Sequence, residues 1–463
     1  MPLQLLSLPP EILVAMVDHL APSQADFDKF SDGFKPDISL YRLAQTCTVF
    51  RDICVPRLYD ICSIKTGANL RRSLCIIRTL IARPEIAKRV KRIIISASLF
   101  PKGYRESEII ISTEEAALFN HVLRRGLKMT AAAPLSKVVA GDRMEYQSIS
   151  ESLVCVALTL TPNITSVILL SRSNRMFGSP PEYIPADFQA DYFPLLETFS
   201  VQNASTDPAT AFDKAIGMLP HAAPRVRRLF GWGIDQLPET AYPYVKQVVL
   251  GRSRLSSTEM ERLPRVFPNL ERFTYVDVGP TISRMPDKAA PPVIFEALLA
   301  LRKTLSHVEL GKHIWLTRRA SSFTSVRRPP NEVLKSLAQM EVLESLTLPT
   351  SFIYAALEEA DGPDHLHAER KLAQFLPRSI RSLYLEDVQE SDEADLLALA
   401  QAAPRQFPNL AQVRFATWSP LEQLPFKDVV RPAFEMRKIK CRFEVVNGGN
   451  YMSAFASVPE HWK

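Results

Sequence analysis

One short pattern of apolar and polar positions recurs along most of the chain: apolar, two free positions, apolar, one free position, apolar. It stands at Val90, Ile93 and Ile95, at Ile164, Val167 and Leu169, at Leu196, Phe199 and Val201, and at Val226 and Leu229. It returns at Val245, Val248 and Leu250, at Leu270, Phe273 and Tyr275, and at Leu305, Val308 and Leu310. The last instances are Leu343, Leu346 and Leu348, then Ile380, Leu383 and Leu385, then Leu410, Val413 and Phe415. A proline often leads into it (Pro162, Pro194, Pro224, Pro243, Pro268, Pro408), and Asn163, Asn269 and Asn409 each follow such a proline directly. The last two apolar residues lie two apart, so they leave a strand in the same direction. The residues between them, such as Thr198, Ser200, Arg272, Thr274, Ser345 and Thr347, point the other way and are often polar. Each instance is therefore predicted to be a short strand with one covered face and one open face.

Helical stretches fill the gaps. Residues 113–126 open with Thr113, Glu114 and Glu115, an N-cap residue and two acids that suit the positive end of a helix dipole. Similar stretches occur at 147–160, 208–219, 257–267, 292–304, 330–340, 366–376 and 391–403, and residues 439–446 read as a last strand before Gly448-Gly449. Strand then helix, repeated so that neighbours cover one another, is the logic of an α/β solenoid. The period is irregular, roughly 19 to 38 residues, with a longer gap after the first instance. A doubly wound α/β enzyme domain also alternates strand and helix, but it does not call for the same pattern at the head of nearly every strand. Over residues 85–446 the recurrence resembles a degenerate leucine-rich-repeat array of the long, helix-bearing type, which implies a horseshoe of parallel strands. The resemblance is weak in any one unit and rests on repetition.

The N-terminal residues follow another pattern. Leu5, Leu6, Ser7, Leu8, Pro9, Pro10, Glu11, Ile12 and Leu13 lead to Val17 and Leu20 at helical spacing, with Ser7 as a candidate cap and proline cheap in a first turn. Leu40, Leu43 and Cys47 fit a second short helix starting near Ser39, and Phe50, Ile53 and Leu58 a third. Helices this short have a small core and need either the rest of the chain or a partner to cover their outer apolar residues. The run L-x-x-L-P-x-E-I-L, then T-C-x-x-F-R-x-I and P-x-L-Y, closely resembles the F-box, and residues 78–91 resemble the segment that follows the box in many fungal F-box proteins. Residues 22–38 form a long polar insertion where that family has a short turn; loop closure entropy grows slowly enough with length to allow it. The resemblance implies docking on a Skp-type adaptor, and through it on a cullin, with Leu8, Pro9, Ile12, Leu40, Cys47, Phe50 and Leu58 as adaptor contacts. The domain plan is a helical head over 1–62, a linker helix over 63–84, the solenoid over 85–446 and a tail over 447–463.

Composition changes this picture little. The chain has 463 residues, 46% hydrophobic and 23% charged, an ordinary globular balance; the length alone suggests about three domains, a number that a repeat array undoes. A net charge of +6 is mild, and the basic residues from Arg83 to Arg105 are interleaved with Glu85, Glu106 and Glu108, so no nucleic-acid patch is expected. Cys47, Cys54, Cys62, Cys75, Cys155 and Cys441 form no C-x-x-C pair and sit mostly at apolar positions, as reduced thiols in an intracellular protein, cytoplasmic or nuclear, would. No signal peptide and no run of about 18 apolar residues is present, so no membrane span is expected.

The chemistry-bearing motifs are missing. There is no G-x-G-x-x-G, no G-x-x-x-x-G-K and no G-x-S-x-G. His365 and His367 lie near Asp361, Asp364 and Glu369 in a polar stretch with too few ligands for a metal site. No cofactor, metal or catalytic residue is therefore expected, and the reading is of a non-enzyme. Large aromatics at or just past the repeat strands (Trp232, Tyr275, Trp315, Tyr384 and Trp418) are the candidate contacts to a client protein, Trp232 first because Gly231 and Gly233 flank it. The family resemblance then implies a substrate-recognition subunit of an Skp–cullin–F-box ubiquitin ligase. A non-ligase scaffold built from the same parts, and a cryptic enzyme on an α/β domain, are the alternatives.

Overall fold

The structure, a computed structural model, describes residues 8–20, 38–66, 70–97, 112–127, 146–171, 192–203, 210–211, 223–277, 289–312, 333–354, 372–417 and 424–445. The chain divides into two units, one of Met1–Ser205, Lys214–Val226 and Met452–Lys463, the other of Thr206–Asp213 and Arg227–Tyr451.

The first unit opens with helices α1 (Pro10–Leu20), α2 (Ile38–Ala44) and α3 (Thr48–Leu58). Strand β1 (Ile61–Thr66), helices α4 (Leu70–Ala82) and α5 (Pro84–Ala87), strand β2 (Arg92–Ala97), helices α6 (Thr113–Leu127) and α7 (Tyr146–Leu160), and strands β3 (Ser166–Ser171) and β4 (Thr198–Asn203) follow. The strands lie in the order β1-β2-β3-β4, all parallel and in register.

The second unit holds β5 (Thr210–Ala211), β6 (Arg228–Trp232), β7 (Ile234–Gln236), β8 (Gln247–Ser253), α8 (Ser257–Val266), β9 (Arg272–Asp277), α9 (Pro291–Ala300) and β10 (His307–Lys312). It continues with β11 (Ser345–Pro349), α10 (Leu372–Phe375), β12 (Ser382–Glu386), α11 (Glu393–Gln406), β13 (Gln412–Thr417), α12 (Lys427–Glu435) and β14 (Lys440–Val445). Its strands run β6-β8-β9-β10-β11-β12-β13-β14, parallel throughout, and the short β5 and β7 pair separately. In both units neighbours in the sheet follow chain order. A doubly wound sheet instead reverses its strand order at a switch point, and no such reversal occurs in either set.

The recurring sequence pattern accounts for this order. All of its apolar residues are buried, among them Leu270, Phe273 and Tyr275, then Leu343, Leu346 and Leu348, then Ile380, Leu383 and Leu385. The first apolar residue closes a tight turn: the N–H of Leu270 donates to the Phe267 carbonyl at 3.2 Å and that of Leu410 to the Phe407 carbonyl at 3.0 Å. In most repeats the residue before the strand then accepts two bonds from the next repeat. Lys246 O takes the N–H groups of Glu271 and Arg272, Glu271 O those of Ser306 and His307, Glu344 O those of Arg381 and Ser382. This sets the register of each strand on its predecessor. The asparagine after the entering proline does the same with its side chain: Asn163 Nδ2 donates to Lys88 O and Asn269 Nδ2 to Pro243 O, each at 2.9 Å.

The helices stack in chain order, α8 on α9, α10 on α11 and α11 on α12. A buried carboxylate fixes one junction. Asp395 on α11 accepts the Tyr354 hydroxyl at 2.8 Å and the N–H of Leu372, the first residue of α10, at 3.0 Å.

Several sequence expectations are corrected. Residues 61–66 form a strand, so the repeated strands start ahead of residue 85 and the stretch 63–84 is only partly helical. Strand β1 carries the pattern as Tyr59, Cys62 and Ile64 but lacks the proline entry and directly follows α3; its Cys62 and Ile64 lie beside Ile93 and Ile95. Within 330–340 the described residues hold a single 3-10 turn, Leu337–Gln339, and the described part of 208–219 is the two-residue β5. Helix α12 was hidden by Pro432 in its middle, yet Val430 and Phe434 bury one face of it. The face opposite the core is also less polar in the first unit than expected: Ile94 and Ile168 are buried there together, with Ile61 and Leu170 against them. The parts of 330–340 and 366–376 at 330–332 and 366–371, and the tail at 447–463, lie outside the described residues.

Candidate functional site

Two surfaces carry the residues singled out from the sequence, one in each unit. In the helical head, Leu13 and Val17 on α1, Leu40 on α2, and Phe50 and Cys54 on α3 form a core, with Leu8, Leu43, Ala44, Cys47, Ile53 and Leu58 partly buried against it. The i, i+4 pairs Leu13–Val17 and Phe50–Cys54 face inward. Cys47 starts α3: its backbone is extended and its Sγ accepts the Phe50 N–H at 3.5 Å. An ion pair between Arg57 and Asp18 ties α3 to α1.

With Leu13 and Val17 inward, the rest of α1 turns its apolar residues out. Ile12 is 48% exposed and Met16 39%, and Tyr41 on α2 and Val49 on α3 are 55% and 44% exposed. The result is an apolar surface on a head with little core of its own. Of the expected adaptor contacts, Pro9 and Ile12 are exposed, and Leu8, Cys47 and Leu58 are half-buried. Leu40 and Phe50 are each only 3% exposed, inside the head's own core, and their assignment as partner contacts is corrected to a structural role. Met16, Tyr41 and Val49 were missed, although the phase set by Leu13 and Val17 already places Met16 on the outer side. Ser7 and residues 22–37 of the insertion lie outside the described residues.

In the second unit the candidate surface is the sheet face opposite the core. Pairing sets Phe230, Val249, Thr274, Glu309, Thr347, Tyr384, Arg414 and Arg442 in one row across it. Trp232 is half-buried at the end of β6, beside Gly251 of β8. A methyl group at Gly251 would come within 2.3 Å of Trp232 Cε3, so the ring lies over that glycine. Gly233, the next residue, has φ 72°, a left-handed turn suited to glycine. The feature that makes room for the ring is therefore Gly251, nineteen positions on, and not only the glycines beside Trp232.

Tyr384 is half-buried on the same face. Its hydroxyl donates to Glu444 Oε1 at 2.7 Å, and the Arg414 guanidinium sits 4.9 Å from its ring centroid while binding both Glu444 oxygens at 3.1 and 2.8 Å. Burial, then the Glu386 and Glu444 carboxylates, hold its phenol well above the usual tyrosine range. Tyr275 is different. It is the third apolar residue of its repeat and 2% exposed, its oxygen accepts the Leu255 N–H at 3.3 Å, and burial pushes its phenol up to about 12. It is a core residue, and its assignment as a client contact is corrected. Trp315 and Trp418 lie outside the described residues.

Glu309 was not anticipated. It lies mid-row, half-buried, its Oε2 accepting the Thr274 hydroxyl at 3.2 Å. Burial lifts its carboxyl to about 7, and the Thr274 bond offsets only part of this. Burial likewise pushes the Cys62 and Cys441 thiols up to about 12, which makes them inert apolar residues rather than nucleophiles.

Among the described residues, no group of three or more His, Cys, Asp and Glu side chains is placed to hold a metal, and no helix is long and apolar enough to cross a membrane. His365 and His367 lie outside the described residues. No model of a known protein family matches the chain, and no curated protein matches it.

Proposed function

We propose that this chain is the substrate-recognition subunit of an Skp–cullin–F-box ubiquitin ligase. On this reading the head is an F-box, and a Skp-type adaptor covers its outer apolar residues. The repeated strand–helix units are a leucine-rich-repeat horseshoe whose second face holds a client protein. The chain itself makes and breaks no bond; it raises the effective concentration of the client near the transferring enzyme, in the cytoplasm or nucleus.

The observation that carries the reading is the combination of box motif and exposure. The residues Leu8-Pro9-Pro10-Glu11-Ile12 start a helix whose outer side leaves Ile12 and Met16 uncovered. Burying one such side chain completely stabilises an interface by roughly 1.5–3 kcal/mol relative to leaving it exposed. The parallel, chain-ordered strands agree with a repeat array. The test is co-purification of a Skp-type adaptor with the full chain. Wild type should retain it and Ile12→Asp should lose it, with unchanged thermal unfolding. Normal retention by Ile12→Asp would remove the assignment.

A further inference from the structure

We propose that the strand-entry edge of the last three repeats binds an acidic segment of a partner protein, with a row of cations for its carboxylates and Met436 for an apolar side chain. The inference rests on reading the repeats as the part that holds a client, and it adds what that client must present.

The entry turns of β12, β13 and β14 lie side by side: the Arg381 carbonyl accepts the N–H groups of Ala411 and Gln412, and the Ala411 carbonyl accepts that of Lys440. These turns bring Arg378, Arg381, Arg405, Arg437, Lys438 and Lys440 to one edge of the sheet. Earlier entry turns balance their cations across neighbouring repeats. Lys246 pairs with Glu271 at 2.7 Å and Arg302 with Glu341 at 3.3 Å. Beyond Glu344, which pairs with Arg381 at 3.5 Å, that balance stops. Residues 376–381, 404–411 and 436–440 contain no acid, and Glu435, just ahead of the third stretch, is the only acid adjoining them in the chain. Arg378, Arg405, Lys438 and Lys440 are exposed, and their side chains make no hydrogen bond or ion pair among the described residues. The negative ends of α11 and α12 offset this charge only in part, by about half a unit each. Within the same edge Met436, directly before Arg437 and Lys438, is 75% exposed, the most open large apolar side chain among the described residues. An unbranched thioether adapts its shape to whatever covers it. Aspartates and glutamates around an apolar residue fit both features: carboxylates take the arginine forks and lysine ammonium groups, and the apolar side chain covers Met436. Neighbouring cations repel one another, so an anionic segment laid across them removes repulsion as well as adding attraction. A nucleic-acid strand would use the charges alone and leave Met436 in water.

The test uses the full chain and random dodecapeptides displayed on phage. Selected peptides should be rich in aspartate and glutamate and share an apolar residue among them. One such peptide is then made synthetically and its binding followed by fluorescence anisotropy. Arg378→Glu combined with Lys440→Glu should weaken it at least about tenfold, because reversed charges then face the anion. Met436→Ala should weaken it roughly threefold to tenfold. Lys303→Glu, an exposed reversal at the entry turn of β10, should leave it unchanged. All the replaced side chains are exposed, so each variant folds as wild type does. Adaptor co-purification is measured on each preparation, so loss of the adaptor is scored against the ligase reading and not against this one. Selected peptides that are not acidic, undiminished binding by the double reversal or by Met436→Ala, an equal loss with Lys303→Glu, no selected peptide at all, or tighter binding of a labelled oligothymidylate than of the peptide would each overturn the inference.

Discussion

Replacing Gly251 by alanine tests whether the ring of Trp232 is held flat across β8. The added methyl would lie 2.3 Å from Trp232 Cε3 and 2.5 Å from Cζ3. Carbon atoms rest at about 3.5–4.0 Å, so the ring must retreat by roughly 1–1.5 Å or leave its rotamer. Overpacking of this kind costs about 1–3 kcal/mol. The backbone contributes nothing adverse, because Gly251 is not among the positive-φ residues and alanine is intrinsically better than glycine inside a strand by roughly 0.5–1 kcal/mol. The whole loss is thus assigned to one contact, and a double-mutant cycle isolates it. Urea unfolding followed by circular dichroism would be measured for wild type, Gly251→Ala, Trp232→Ala and the double variant. In the Trp232→Ala background the alanine should be neutral or slightly stabilising. An equal loss in both backgrounds, or no loss in wild type, would show that the ring does not occupy this place. The same cycle read by client binding would report on Trp232 as an anchor.

Three further outcomes follow from other contacts. Leu13→Ala, one residue from Ile12 but facing the head's core, should cost about 2–5 kcal/mol of head stability, whereas Ile12→Asp should leave the thermal midpoint in place; equal midpoints for the two would contradict the facing of α1. Asp395→Ala strands the buried Tyr354 hydroxyl and the Leu372 N–H, and should cost about 2–4 kcal/mol in chemical denaturation; a loss below about 1 kcal/mol would mean that the junction relaxes freely. Glu309 has its folded-state carboxyl raised from 4.5 to about 7. The folded state holds that proton more tightly than the unfolded chain, so its contribution to stability is greatest below about 4.5 and is lost as pH rises through 7. Glu309→Gln should therefore flatten the difference between denaturation curves at pH 5 and pH 8 and be the more stable form at pH 8; an unchanged difference would place the carboxyl in water.

The repeat strands were legible because their signal is redundant. Leu270, Phe273 and Tyr275 carry three constraints in six residues, and the constraint recurs. What escaped was local and unrepeated. Strand β1 has no proline entry and follows a helix directly, and α12 has its Pro432. The same redundancy caused one error. Reading Tyr275 as a surface aromatic conflicts with its place in the pattern, two after Phe273, which assigns it to the covered side.

By itself the chain determined which residues enter strands, which side of each strand is covered, and that the first helices are too apolar for their length. These are properties of spacing, and periods of two and of 3.6 residues are set by backbone geometry alone. Tertiary structure decided what no spacing contains. It set the register that brings Thr274 beside Glu309 and Trp232 over Gly251, and the burial of Leu40 and Phe50 where exposure was expected. Those facts depend on groups far apart in sequence, and they exist only once neighbouring strands have paired and the short helices have chosen which face to turn inward.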